Sequence, residues 1–176
     1  MIPNILTTAR LILVPIFAYL VLVSKSFPAA ATIFIISGIT DVVDGCIARH
    51  FNMITNFGKI YDPFVDKLMQ ITAIVCLAFA GIIPFWLILI VLFKEVTMII
   101  IGGILYLNKI VVHSNWYGKV ATVLFYAVVF IMIIWRNISP TISMSLIITM
   151  IVAMALSACA YLIDIIRHYD EKRIVK

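Results

Sequence analysis

Long apolar runs broken by short polar interruptions are the first thing the chain shows. Six such runs follow one another: Leu6–Val23, Ala29–Arg49, Phe57–Ala80, Phe85–Leu107, Trp116–Trp135 and Thr141–Ile166. Each is about as long as the roughly 20 residues a helix needs to cross a bilayer. The connections are Ser24–Pro28, His50–Asn56, Gly81–Pro84, Asn108–Asn115 and Arg136–Pro140, and a charged tail follows the sixth run. No alternation of period two runs through the apolar stretches, so a membrane barrel is not indicated. Helices satisfy their own backbone in lipid. The pattern therefore predicts an all-α integral membrane protein, with six transmembrane helices in one bundle and residues 1–176 forming a single domain.

Composition sharpens this picture. The 176 residues are 65% hydrophobic and 12% charged, against about half and a quarter in a soluble domain. Mean hydropathy is +1.21. The first run, with Arg10 ahead of Leu11–Val23 and alanines at 29–31, has some features of a signal peptide; we take it as the first span. Cys46, Cys76 and Cys159 lie scattered in apolar segments without metal-binding spacing. They read as small buried hydrophobes.

The formal net charge is +5. In a chain of this kind the excess belongs to cytoplasmic loops and anionic lipid rather than to nucleic acid. Six spans place both termini on one side. Ten cations fall there: Arg10, Arg49, Lys59, Lys67, Lys109, Lys119, Arg167, Lys172, Arg173 and Lys176. Lys25 and Arg136 fall opposite, and Lys94 lies within a span. The bias puts both termini in the cytoplasm of a multi-pass plasma-membrane protein.

Half of the chain's eight acidic residues lie between Asp41 and Asp66. A carboxylate at the centre of a membrane helix costs about 2.5–3.5 kcal/mol on insertion scales, and less near the interface. Arg49, Lys59 and Lys67 are close enough in sequence to offset part of the charge. Asp41 and Asp44 are three apart, and Asp62 and Asp66 four apart, so each pair shares one face of its helix. Adjacent antiparallel helices can turn the two faces together into a cage of four carboxylates. Hard oxygen ligands suit Mg²⁺, Mn²⁺ or Ca²⁺ and not zinc. Four carboxylates balance two divalent ions, the usual clamp for phosphoryl transfer. Gly45, Ala48 and Gly58 leave room for a ligand against the helices, or for close helix packing. Arg49 can meet a phosphate oxygen or snorkel to the interface. His50, His113 and His168 sit at interfaces or in the tail and read as solvated.

The residues Asp41, Asp44, Gly45, Ala48, Arg49, Gly58, Asp62 and Asp66 stand in the order Asp-x-x-Asp-Gly-x-x-Ala-Arg-x8-Gly-x3-Asp-x3-Asp. This resembles the signature of the CDP-alcohol phosphatidyltransferases, with every fixed position present. The opening Ile2-Pro3-Asn4-Ile5-Leu6-Thr7 and Arg10 are similar to the start of bacterial phosphatidylglycerophosphate synthases and related cardiolipin synthases. The resemblance implies transfer of a phosphatidyl group from CDP-diacylglycerol to an alcohol with release of CMP. It implies an active site between the second and third helices, opening to the cytoplasm. It also implies Asp41, Asp44, Asp62 and Asp66 as ligands of two Mg²⁺ or Mn²⁺ ions and Asp66 as general base. Gly45, Ala48, Arg49 and Gly58 then serve the CDP-lipid, and a homodimer is allowed.

The acceptor is less constrained. Lys94, Lys119 and Arg10 are candidate contacts for an acceptor phosphate, which favours glycerol 3-phosphate. Lys94-Glu95 stands where the synthases resemble one another in having Arg-Glu, and Gly118-Lys119-Val-Ala-Thr122 is similar to their Gly-Lys-x-x-Thr. Lysine lacks the bidentate fork of arginine, and an ion pair with Glu95 is an equally simple use for Lys94. Gly102-Gly103 replace a further cation, which leaves phosphatidylglycerol as the alternative acceptor. A divalent-cation transporter is the rival of a different class, but the outer halves of the second and third runs, Ala29–Ser37 and Ile71–Ala80, offer almost no polar path.

Overall fold

The computed structural model describes residues 2–50, 58–107 and 116–174. Within them, the side chains of 2–6, 44–50, 58–60, 62, 63, 102–107, 117 and 164–174 lie outside the description. Among the described residues there are six helices and no strands: α1 Ile2–Leu22, α2 Phe27–His50, α3 Gly58–Phe79, α4 Trp86–Leu107, α5 Trp116–Ile134 and α6 Pro140–Ile174. Their ends agree with the apolar runs to within a few residues, except that α6 continues eight residues beyond Ile166. The tail holds Asp170, Glu171, Lys172 and Arg173, mostly good helix formers, with nothing to stop an established helix.

Local chemistry explains the starts and stops. Ser139 precedes α6, its Oγ accepts a long 3.4 Å bond from the Ile142 N–H, and Pro140 fills the first helical position. The end of α3 is a Schellman motif. The Ile82 N–H bonds the Leu77 carbonyl at 2.9 Å and the Gly81 N–H bonds Ala78 at 3.0 Å. Gly81 adopts φ +72° there, a conformation that favours glycine. Pro84 follows and prevents resumption.

The chain divides into two compact units, Met1–Val91 with Val129–Arg136, and Leu92–Val128 with Asn137–Lys176. In the first, α1 packs against both α2 and α3. The buried positions of α1, Thr7, Arg10, Val14, Phe17 and Val21, recur every three or four residues as one stripe. On α2 the stripe is Phe27, Ala30, Ala31, Phe34 and Ser37. Phe17 and Phe34 meet with ring centroids 5.7 Å apart. Arg136 lies 4.0 Å over the Phe27 ring, a cation–π contact. In the second unit Ala121, Phe125, Val128, Ile147, Met150 and Met154 are buried. Gly118 lies beside Ser157, whose Oγ would be 3.7 Å from an added Cβ.

Large apolar side chains also cover the outside, among them Phe93, Leu89, Val123, Leu156 and Ile163. So much exposed apolar surface is foreign to a water-soluble monomer. Among the described residues one helical segment, the 24 residues Pro140–Ile163, is both long and apolar enough to cross a membrane on its own. At 1.5 Å per residue it spans about 36 Å. Thr7–Leu22, Phe27–Val43 and Gly118–Ile134 are shorter apolar helical segments.

Candidate active site

The stripe that α1 buries is apolar over Val14, Phe17 and Val21 and polar over Thr7 and Arg10. Arg10 is the most unusual member. Its side chain has no exposed surface, and its Nη1 donates to Asp41 Oδ1 at 2.7 Å. Asp41 continues the buried stripe of α2 one turn beyond Ser37, and its side chain is 35% exposed. A carboxylate in the first half of the motif is therefore held from a different helix, by a cation thirty-one residues earlier. Among the described residues Arg10 Nε and Nη2 are buried without a hydrogen-bond partner, as is Ser37 Oγ.

On α3, Asp66 is half-buried, and its Oδ2 accepts from Gln70 Nε2 at 2.9 Å. Gln70 is 2% exposed. It lies four residues on, where α-helical geometry brings side chains together. The two described aspartates of the motif thus each have one oxygen fixed by a buried donor. α1, which packs on both of their helices, is the element the two halves of the motif share.

Asp44, Gly45, Ala48, Arg49, Gly58 and Asp62 complete the motif, but their side chains lie outside the described residues. The backbone places Asp44, Gly45, Ala48 and Arg49 on the last turns of α2, and Gly58 and Asp62 on the first turns of α3. The helical spacing expected for both aspartate pairs is therefore present.

The acceptor candidates fall differently. Lys94 Nζ contacts Glu95 Oε1 at 2.6 Å, and Glu95 is fully buried. Lys94 thus makes the ion pair that the sequence offered as one of its two uses. Lys119 is exposed. Arg10 is turned to Asp41. Sequence reasoning missed two features here. It offered Arg49, Lys59 and Lys67 as partial counter-charge for the aspartates and did not name Arg10, which pairs with Asp41. It also passed over Gln70, although a polar residue four positions from Asp66 in an apolar helix was signal enough.

Both described carboxylates can take a cation. Each carboxylate offers about four lone-pair positions, so the bond from Arg10 or Gln70 does not by itself exhaust it. The donor set is all oxygen, which fits a hard divalent ion.

These features define a class of protein. Residues 1–165 match the CDP-alcohol phosphatidyltransferase family, and the chain belongs to it. Among its relatives, the CDP-diacylglycerol–glycerol-3-phosphate 3-phosphatidyltransferase of Bacillus subtilis is 35% identical, over 68% of this chain and 69% of that protein. The CMP-forming cardiolipin synthase of Streptomyces coelicolor is 36% identical, over 69% of this chain and 59% of its own length. A probable phosphatidylglycerophosphate synthase of Mycobacterium tuberculosis is 32% identical, over 68% and 59% respectively. The chain is thus similar both to an enzyme named for transfer to glycerol 3-phosphate and to one named as a cardiolipin synthase. It spans well under the full length of each.

Proposed function

We propose that this protein is a multi-pass membrane enzyme that transfers the phosphatidyl group of CDP-diacylglycerol to glycerol 3-phosphate, giving phosphatidylglycerophosphate and CMP. The observation that carries the reading is the complete eight-position motif of α2 and α3 within a chain of this family. Six spans in one bundle, with both termini cytoplasmic, suit the apolar runs and the ten-to-two distribution of cations. A site at the cytosolic leaflet lets CMP leave to water while the acyl chains stay in lipid.

The residues then have the following tasks. Asp66, steadied by Gln70, takes the proton of the acceptor hydroxyl. The resulting oxygen attacks the phosphorus that carries the diacylglycerol. A new P–O bond forms, the P–O bond to CMP breaks, and CMP departs with the bonding electron pair. Asp66 returns its proton to water. Gly45, Ala48, Arg49 and Gly58 seat the CDP-lipid. Asp41, Asp44, Asp62 and Asp66 would hold Mg²⁺ or Mn²⁺, as two ions, and a bound ion supplies charge neutralisation at the diphosphate. Positioning and charge stabilisation carry most of such a reaction, so no serine or histidine nucleophile is needed.

The Lys94–Glu95 pair favours a second reading. A lysine already engaged at 2.6 Å is a poorer partner for an acceptor phosphate, which suits phosphatidylglycerol as the alcohol and a cardiolipin-type product. The test is CMP release by the purified protein with CDP-diacylglycerol and Mg²⁺, one alcohol at a time. Turnover with glycerol 3-phosphate is expected. Turnover with phosphatidylglycerol alone would move the assignment to the second reading, and no CMP with any alcohol would sink the transferase.

A further inference from the structure

A guanidinium is a planar fork whose five N–H groups cannot be deprotonated away. In Arg10 the fork is used unevenly. Nη1 is committed to Asp41 Oδ1 at 2.7 Å, while Nε and Nη2 are buried and bond nothing among the described residues. Nε and Nη2 are not two scattered orphans. They point the same way along one edge of the plane, the edge whose two parallel N–H groups match two oxygens of a carboxylate or phosphate. Leaving charged donors bare in a buried setting is expensive. Asp41 also fixes the direction of the fork, so the edge is pre-set rather than mobile. The position is telling too. Asp41 begins the acidic motif, so an oxyanion on this edge would stand next to the first carboxylate of the site.

We propose that the Nε–Nη2 edge of Arg10 receives a phosphate group of one of the two substrates, while Nη1 keeps the guanidinium aligned by its bond to Asp41. The proposal rests on the transferase reading. The chemistry is that of a phosphate oxyanion, and it has two sources in the reaction: the diphosphate of the CDP-lipid and the phosphate of the acceptor. Lysine at this position would keep the charge and the pairing with Asp41 but would lose the two-pronged edge.

Two measurements test this. The first uses the wild-type protein in detergent with its five arginines labelled at ¹⁵Nε, the buried Arg10 signal being recognised by slow solvent exchange. Glycerol 3-phosphate and CDP are added separately. A downfield shift of the Arg10 Nε–H with glycerol 3-phosphate alone assigns the edge to the acceptor, and with CDP alone to the CDP-lipid. No shift with either at saturation overturns the proposal and leaves the edge to a buried water. The second uses Arg10→Lys, assayed for CMP release. A tenfold or larger rise in KM for the substrate identified by the first measurement is expected, with the other KM within about threefold. A lowered melting temperature with both KM values unchanged would make Arg10 only a counter-ion of Asp41 and overturn the proposal. Should Arg10→Lys fail to fold, the wild-type shift decides alone. Because that shift is read without turnover, its failure is separate from failure of the transferase reading, which shows as no CMP with any alcohol.

Discussion

Gln70→Met removes a buried donor that steadies the proposed base. Methionine has nearly the same length and no N–H, so the buried slot at 2% exposure stays filled. What is lost is the 2.9 Å bond to Asp66 Oδ2. A hydrogen bond to a charged partner contributes about 1.5–3 kcal/mol. If most of that restraint acts on the orientation of Asp66 during proton removal, kcat falls about ten- to hundredfold, since each factor of ten corresponds to about 1.4 kcal/mol. Binding of either substrate does not use this bond, so both KM values should stay within about threefold. Stability should change little, because burying a thioether in place of an amide offsets part of the lost bond. Initial rates of CMP release in mixed micelles, with each substrate varied in turn, measure the split between kcat and KM. Thermal unfolding followed by circular dichroism measures the rest. Wild-type kcat in Gln70→Met would refute the positioning role. So would a fall in kcat/KM carried by KM, and a loss of activity that merely tracks a large drop in melting temperature would make Gln70 structural.

Other perturbations separate chemistry from scaffold. Asp66→Asn should lower kcat by about 10²–10⁴-fold, the usual contribution of a positioned base, while CDP-lipid binding measured by equilibrium dialysis persists; full activity would remove Asp66 from that role. Chelation with EDTA should abolish CMP release, and Mg²⁺ or Mn²⁺ but not Zn²⁺ should restore it, whereas activity that survives exhaustive chelation would contradict the metal-binding role of the carboxylates. Gly81→Ala forces a Cβ into a left-handed conformation at φ +72°, although no atom lies within 4 Å to clash with it. A cost of about 1 kcal/mol should lower the melting temperature by about 2–4 °C with unchanged kcat, and no shift at all would mean that the turn relaxes.

The six helices were legible because long apolar runs declare themselves by length and composition, and Pro140, Pro84 and Gly81 mark ends through chemistry that is local in sequence. Asp41, Asp44, Asp62 and Asp66 were visible as a charge cluster for the opposite reason: charge in an apolar run is expensive enough to demand an explanation. The partnership of Arg10 with Asp41 was not, because it joins residues thirty-one apart whose meeting depends on how α1 crosses α2. Spacing rules reach one or two helical turns and no further. Gln70 was within that reach, but a neutral amide draws less notice than a charge. Lys94 shows the limit from another side. A sequence names two equally good uses for a lysine next to a glutamate, and only side-chain placement separates them.

The bond between Arg10 and Asp41 bears on how such a chain could enter a bilayer at all. α1 and α2 are joined by only four residues, Val23–Ser26, so the two helices emerge from the ribosome as a hairpin. Singly, the arginine and the aspartate each oppose insertion, by about 2.5–3.5 kcal/mol if near the helix centre. Together, on facing helices, they would enter as one nearly neutral dipole. α1 in the six-span reading would then be an escort for the acidic helix that follows it. A chain with Arg10 replaced by an apolar residue would meet its first difficulty at the translocon, before any substrate arrives.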